Sequence, residues 1–421
     1  MLTKFCAITV LLAQASTLAA LSEMGAHVDR EWFSRALAEE AAHWRESAFR
    51  NNGFFAVFLD RQWRPVGSQN GTLVTQSRQI FVMVAGYEHT RDRAYLDAVK
   101  RGAEFLLRHF RDPEHGLFFY STTQEGRVID DRKDSYGLAF TIFALSHAAR
   151  ITKEKRYRQA ALETWAEMKR NLRDATGFIK PRTDRTYTRT IGENTQNPMM
   201  HLFEALLALY DATGSNEVFQ DARQLADAIF AKLFDAQEGR LPELFDASWK
   251  PAPPEKPGYL ELGHQFEWAF LLSHAVEKGF PKEYLAIGER LLDYGMKMAY
   301  DREEGGFFSR LDSQGAVIRG QKSWWEQCEA LRALMHYAVL RGRSDLWPAF
   351  DKSFEFVKMR FIDPEYGGWY AYCNPRSATQ RTNKGSAWQV GYHVCGLYRE
   401  ALRLGAVSGQ PSLPFQVFHR R

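Results

Sequence analysis

A glycine followed by apolar or aromatic residues recurs along the chain at nearly constant spacing. The six glycines are Gly53, Gly116, Gly177, Gly239, Gly306 and Gly368, and subtraction of their numbers gives intervals of 63, 61, 62, 67 and 62 residues. Self-similarity at a fixed period is typical of repeat architectures, in which each unit buries its apolar surface against its neighbours. Six copies of one unit therefore account for the chain, and no linker separates them.

Each unit contains two predicted helices of different character. The first has apolar residues at spacings of three and four, over residues 95–110, 157–172, 218–234, 284–300 and 346–361. The second, which follows the glycine and a polar, aromatic loop, is apolar around most of its circumference, over 73–87, 136–149, 198–212, 263–276, 325–340 and 388–402. An amphipathic helix buries one face, whereas an all-round apolar helix is buried on every side. Six such pairs predict an all-α fold, the (α/α)6 barrel or six-hairpin toroid.

Polar side chains occur at the beginning of the predicted inner helices. Because parallel inner helices place their N-terminal ends on one rim, we expect side chains from different repeats to converge there. The candidates are Arg78, Tyr136, His201, Glu204, His264, Glu267, Trp325, Glu326, Glu329, Trp388 and His393. Histidine and glutamate three residues apart, as in His201 and Glu204, occupy one face of a helix. A single histidine on such a helix is usually structural, but three from different repeats indicate a site.

Several classes of site lack their sequence signals. The 55 Lys plus Arg nearly balance 51 Asp plus Glu, and no basic run could follow a phosphate backbone, so we expect no nucleic-acid partner. There is no His-Glu-x-x-His or paired-cysteine motif for a metal, and no Gly-rich phosphate loop, so we predict no metal and no cofactor. Aromatic residues make up 14% of the chain, which suits a sugar site but also a large core. With these classes set aside, we expect the polar residues at the rim to act as general acids and bases.

The first twenty residues differ from the rest of the chain. Lys4 is the only charged residue before Glu23, residues 5–13 are almost wholly apolar, and small residues at 17–20 could be cleaved by a signal peptidase. The apolar stretch is too short for a stable membrane span. We predict a signal peptide at 1–20, a single barrel domain at 21–421, and a periplasmic or secreted protein. The alternative is a frayed amphipathic start on a cytoplasmic protein.

Six short motifs resemble those of the N-acylglucosamine 2-epimerase superfamily over nearly the whole mature chain. They lie at 197–204, 263–268, 324–326, 384–385, 388 and 392–393. The superfamily includes sugar 2-epimerases and mannose-type aldose-ketose isomerases on the six-hairpin barrel. The resemblance implies that His264 and His393 are the acid/base pair, with Arg78, His201 and Glu267 around the carbonyl end of a small-molecule sugar. Trp325 and Trp388 are candidates for stacking on the sugar, with Glu326 as a further substrate-binding residue.

Histidine suits this reaction because its ordinary pKa, about 6.5, lets it act as base or acid near neutral pH. Proton removal next to a carbonyl and its return on the opposite face would give a C2 epimer, whereas transfer from C2 to C1 would give a ketose. The sequence leaves both open. Two less favoured alternatives are a glycoside hydrolase, which would need a carboxylate pair such as Glu326 and Glu329, and a non-catalytic sugar-binding protein. The oligomeric state stays open between monomer and homodimer.

Overall fold

Twelve long helices alternate along the part of the chain described by the structure, a computed structural model covering residues 23–312, 314–320, 322–373 and 383–407. The predicted signal segment, 1–20, lies outside these residues. The odd-numbered helices are α1 (Arg30–Ala48), α3 (Arg93–Phe105, continued by a π-helix at Leu106–Phe110), α5 (Lys155–Asn171), α7 (Asn216–Lys232), α9 (Glu283–Met298) and α11 (Trp347–Arg360). The even-numbered helices are α2 (Leu73–Thr90), α4 (Ser135–Thr152), α6 (Asn197–Thr213), α8 (Leu262–Glu277), α10 (Trp324–Arg341) and α12 (Tyr392–Val407).

The even-numbered helices form a closed inner ring. Each packs against the next in the order α2, α4, α6, α8, α10 and α12, and α12 packs back against α2. The odd-numbered helices lie outside this ring, and α1 contacts both α12 and α2 at the position where the ring closes. The prediction of a six-hairpin (α/α)6 barrel is confirmed.

Burial separates the two rings as the residue patterns predict. Every side chain of α8 from Leu262 to Ser273 is buried. In α5 only a stripe that includes Tyr157, Ala161, Trp165 and Met168 is buried, at helical spacing. An outer helix therefore needs one apolar face, whereas an inner helix needs apolar residues nearly all round. No helix in the described part of the chain combines the length and apolarity needed to cross a membrane.

Short antiparallel strands join the loops of neighbouring repeats at the rim. The first set is a three-stranded sheet of β1 (Asn70–Thr72), β2 (Ser121–Thr123) and β3 (Val128–Asp130). The others are the pairs β4 (Lys133–Asp134) with β5 (Arg182–Thr183), and β6 (Asn194–Thr195) with β7 (Leu244–Phe245). Because each strand has only two or three residues, the sequence pattern does not reveal them. The strands fix each loop against the next and so position the rim.

Buried lysine–aspartate pairs hold three of the loops. In each pair the lysine ammonium donates a hydrogen bond to an aspartate 21 residues earlier: Lys133 to Asp112 at 2.8 Å, Lys322 to Asp301 at 2.6 Å, and Lys384 to Asp363 at 2.9 Å. The aspartate lies just after an outer helix, and the lysine lies shortly before an inner one. Removing one partner of a buried pair typically costs about 3–5 kcal/mol. These pairs therefore anchor the connections that lead into the rim.

Five inner helices begin within a residue of their predicted starts, but the sixth does not. Its predicted start at Trp388 is wrong, because α12 begins at Tyr392. The Ser386 hydroxyl accepts hydrogen bonds from the backbone amides of Trp388 and Gln389, which holds these residues in a turn. Trp388 therefore belongs to the loop before α12.

Candidate active site

The first turns of the inner helices bring most of the predicted site residues to one end of the barrel. Trp325, at the start of α10, lies between the two predicted acid/base histidines: its ring centroid is 5.0 Å from that of His264 and 5.8 Å from that of His393. His264 comes from α8 and His393 from α12, the two neighbours of α10 in the inner ring. Two imidazoles from distant segments thus contact one indole ring.

His264 is paired with a carboxylate from the preceding loop. Its Nδ1 lies 2.7 Å from Oε2 of Glu243, and both side chains are buried. Burial alone would lower the pKa of His264, but the negative charge and the hydrogen bond of Glu243 raise it to about 9. His264 is therefore protonated on both ring nitrogens, and positively charged, at neutral pH.

A hydrogen-bond network fixes the Glu243 carboxylate. The Gln196 amide donates to Glu243 Oε2 at 2.6 Å, and the Thr195 hydroxyl donates to Oε1. The indole N–H of Trp268 donates to Oε1 of Gln196 at 2.7 Å, which sets the orientation of that amide. Because Thr195 belongs to β6 and Glu243 directly precedes β7, the β6–β7 pair holds this network in register.

His393 has the opposite electrostatic environment. Burial and the positive charges of Arg78 and Arg332 lower the pKa of His393 well below the ordinary value. Its Nδ1 lies 2.8 Å from Oε1 of Glu329. His393 is therefore neutral at the pH at which His264 is charged. The site contains one histidine ready to accept a proton and one ready to donate.

Glu267 lies one helical turn after His264 on α8, and its Oε1 is 3.9 Å from Nδ1 of His201. Its side chain is 1% exposed, and neither carboxylate oxygen has a hydrogen-bond partner among the described residues. Burial, and then the negative charges of Glu329 and Glu204, raise the pKa of Glu267 well above the ordinary value. The positive charges of His264 and Arg332 oppose this rise, but burial has the largest influence and favours the protonated carboxyl, which can donate a hydrogen bond to a sugar oxygen.

His201 and Arg78 are the remaining polar residues predicted for the carbonyl end of the sugar. Nδ1 of His201 lies 3.2 Å from Glu204 Oε2, and the Tyr392 hydroxyl donates to the same oxygen at 2.5 Å. Burial lowers the pKa of His201 despite this glutamate. Nη2 of Arg78 donates to the Tyr136 hydroxyl at 2.6 Å, and its buried Nε has no partner among the described residues. Arg78 thus has an unused donor.

The remaining predicted residues differ in their placement. Trp325 is half-buried against the histidines. Glu326 is buried and accepts a hydrogen bond from the Ser323 hydroxyl at the start of α10. Trp388 is 59% exposed in its loop and contributes no ring contact with either histidine in the described part of the chain. The structure thus brings Trp325 to the pair but leaves Trp388 on the surface.

Two sets of side chains could hold a metal ion by distance alone. They are His201, Glu204 and Glu267, and Glu267, Glu329 and His393, with ligand atoms within 4.8 Å of one another in each set. In both sets, Nδ1 of the histidine already shares a hydrogen bond with one of the carboxylates. The donors are arranged for proton sharing, and we assign none of these groups as metal ligands.

The sequence did not predict that Glu243 and Glu329 are the partners of the two histidines. Glu329 was one of the rim candidates, and its position three residues after Glu326 indicates the same helix face. Glu243 lies in a loop without periodicity, and no sequence signal connects it to His264. Asn197 was part of a motif but had no role, and its buried Oδ1 has no partner among the described residues.

Several known proteins with sequences similar to this chain are sugar isomerases or epimerases. The sequence profile of the N-acylglucosamine 2-epimerase family matches residues 53–396. The chain is 26% identical to a D-mannose isomerase of Marinomonas mediterranea over 83% of this chain and 91% of that protein. It is 28% identical to the N-acylglucosamine 2-epimerase of Mus musculus over 76% and 78%.

The cellobiose 2-epimerase of Spirochaeta thermophila has the same fold, with a TM-score of 0.81 and 21% identity over 90% of this chain and 96% of that one. The profile match covers most of the chain, including both candidate histidines and their glutamate partners. The chain belongs to the N-acylglucosamine 2-epimerase family, whose members are carbohydrate epimerases and isomerases.

Proposed function

We propose that the protein is a cofactor-independent sugar 2-epimerase acting on a free reducing sugar. The observation that carries this proposal is that two histidines contact one indole ring and have pKa values shifted in opposite directions. The charge of Glu243 raises the pKa of His264 against burial, while burial and nearby positive charges lower that of His393. A base and an acid at neutral pH are what proton removal and return at one carbon require.

His393 is the base in this proposal. It removes the C2 proton of the open-chain aldose, and the electron pair of the broken C–H bond forms the C1–C2 double bond while the carbonyl oxygen takes the charge. His264 then delivers its proton to the opposite face of C2 as the carbonyl re-forms. The histidines finish with exchanged protonation states, and proton exchange with water restores them.

The developing oxyanion needs hydrogen-bond donors. Nε of Arg78 and both carboxyl oxygens of Glu267 have no hydrogen-bond partner among the described residues, and burial raises the pKa of Glu267, which favours its donor form. A donor aimed at such an oxygen typically contributes about 3 kcal/mol to transition-state stabilisation. We assign Arg78 and Glu267 to the oxygens at C1 and C2, with His201 beside them.

The second candidate function is an aldose-ketose isomerase, which forms the same enediolate but returns the proton to C1. It is favoured by the match to a D-mannose isomerase over 91% of that protein. The glycoside hydrolase remains less favoured. Glu326 already accepts a hydrogen bond from Ser323, and hydrolysis by two carboxylates does not require two histidines with opposite pKa shifts. A non-catalytic binding protein likewise has no use for an acid/base pair.

Deuterium exchange tests the proposal directly. The protein is incubated in heavy water with mannose, glucose, cellobiose or N-acetylglucosamine, and products are identified by proton NMR. We expect loss of the C2 proton signal together with the inverted aldose. A ketose product would favour the isomerase, and no exchange with any of the four sugars would contradict both. The His393→Gln variant is the matched control.

We also propose that the protein is exported, which the N-terminal composition supports: charge is nearly absent before Glu23, and residues 5–13 are apolar.

A further inference from the structure

A partly buried arginine, Arg332, lies one helical turn after Glu329, the partner of His393. Nη1 of Arg332 is 3.3 Å from Oε2 of Glu329, whose other oxygen lies 2.8 Å from His393 Nδ1. The guanidinium lies over the Phe270 ring at 3.6 Å from the ring centroid, and the side chain is only 14% exposed. Arg332, Glu329 and His393 therefore form a chain, in which the Glu329 carboxylate contacts the arginine with one oxygen and the histidine with the other.

The titratable and charged groups around this chain come from five inner helices. They are Glu204 on α6, Glu267 on α8, Glu329 on α10, Tyr392 and Glu400 on α12, with His201 and Arg78 as further neighbours of Glu329. Burial raises the pKa of Glu329, and the charge and hydrogen bond of Arg332 are the largest opposing influences. Without Arg332, Glu204, Glu267 and Glu329 would share this interior, and among the described residues Arg78 would be the remaining arginine whose charge lowers the pKa of Glu329.

We propose that Arg332 is a positioning residue that keeps Glu329 anionic, and that the anion fixes the proton of neutral His393 on Nδ1. The lone pair of the imidazole is then on Nε2, which makes no hydrogen bond to the described residues. An ionised carboxylate can only accept a hydrogen bond, so the histidine must donate from Nδ1. The identification of Nε2 as the base that meets C2 rests on the proposed function.

The opposite proton arrangement would disable the base. A protonated Glu329 would donate its O–H to Nδ1, and the neutral imidazole would then carry its proton on Nε2. That nitrogen would have no lone pair for the substrate, although every heavy atom would stay in place. Arg332 thus decides which of two tautomers His393 adopts, without contacting the reacting carbon.

The test measures the tautomer of His393 by nitrogen-15 NMR in the full-length protein, with the His393→Gln variant used to assign its signals. In the unmodified protein at neutral pH we expect the Nδ1–H tautomer. In Arg332→Met we expect the Nε2–H tautomer and a fall in C2 exchange of about 10²- to 10⁴-fold, the usual contribution of a general base. Arg332→Lys should retain the Nδ1–H tautomer and recover most of the activity.

Arg341 provides a matched control on the same helix. Its guanidinium donates to the hydroxyl and carbonyl of Ser273 at 2.8 Å, and it has no ion pair with a carboxylate in the described part of the chain, so Arg341→Met removes an α10 cation that is not paired as Arg332 is. We expect no change in the His393 tautomer in this variant. An Nε2–H tautomer in the unmodified protein would overturn the proposal even if Arg332→Met does not fold, and so would an unchanged tautomer in a folded Arg332→Met.

Failure of the proposed function is separately visible. If the unmodified protein exchanges no C2 proton of any sugar, the enzymatic assignment is wrong. The tautomer measurement needs no substrate, and it still decides whether Arg332 controls the His393 proton.

Discussion

The substitution Glu243→Gln tests the pairing that charges His264. It removes one negative charge while leaving a side chain of the same size between Gln196 and Thr195. With the charge gone, burial dominates, and we expect the pKa of His264 to fall from about 9 to the ordinary 6.5 or below. A neutral His264 at pH 7 could not deliver a proton to C2.

The size of the effect follows from the change in pKa. Moving the pKa of His264 from 6.5 to about 9 corresponds to about 3 kcal/mol at about 1.4 kcal/mol per pH unit. Because the folded-state pKa is the raised one, this stabilisation is fully present below about pH 6.5 and is lost as pH rises through about 9. The free energy of unfolding of the unmodified protein should therefore contain a term that falls over this range, and Glu243→Gln should lack it.

Two measurements check this expectation. The pH profile of C2 exchange should lose activity near pH 9 in the unmodified protein and near pH 6.5 or lower in Glu243→Gln, since His264 must be protonated. Urea unfolding at pH 6 and at pH 9.5 should give a large difference between the two pH values only for the unmodified protein. Glu193→Gln, which removes an exposed glutamate paired with Lys256, is the control and should behave as the unmodified protein. An alkaline limit that stays near pH 9 in Glu243→Gln would refute the reasoning.

Three further outcomes are expected. The substitution His393→Gln should lower C2 exchange by about 10²- to 10⁴-fold, while calorimetry still detects sugar binding. Weaker sugar binding with an unchanged rate of exchange for the bound sugar would contradict its role as the base. Gly263→Ala would place a Cβ 2.4 Å from Cζ3 of Trp325, so urea unfolding should show a loss of about 1–3 kcal/mol, and an unchanged midpoint would contradict this packing. Mass spectrometry of the protein purified after export should find a chain that begins after Ala19 or Ala20, and an intact N-terminus would argue against a cleaved signal.

The barrel could be predicted from the sequence because its helices are long and periodic. Each inner helix supplies some four turns of apolar residues, and the glycine spacing shows how many units to expect. The start of α12 was missed because Trp388 and the apolar residues after it continue the helical pattern, whereas the Ser386 turn holds the backbone out of the helix. Local hydrogen bonding overrode periodicity there.

The candidate site was predictable only where its residues lie on helices. His201, His264 and His393 could be placed at one rim because helix geometry fixes their height and face. Glu243 could not, because its contact with His264 depends on the β6–β7 pairing of two short loop segments. The opposite electrostatics of the two histidines were equally hidden, since they arise from charges contributed by several repeats.

The contact of α1 with α12 has a consequence for how the protein is made. The first outer helix leaves the ribosome more than 300 residues before the inner helix on which it must pack. Trp44 contacts Trp63 in the next loop and Phe33 stacks on Phe354 of α11, but the α12 side of α1 stays uncovered until the end of synthesis. The ring cannot close before α12 is present, and translation that stops before Tyr392 should leave an open, aggregation-prone arc.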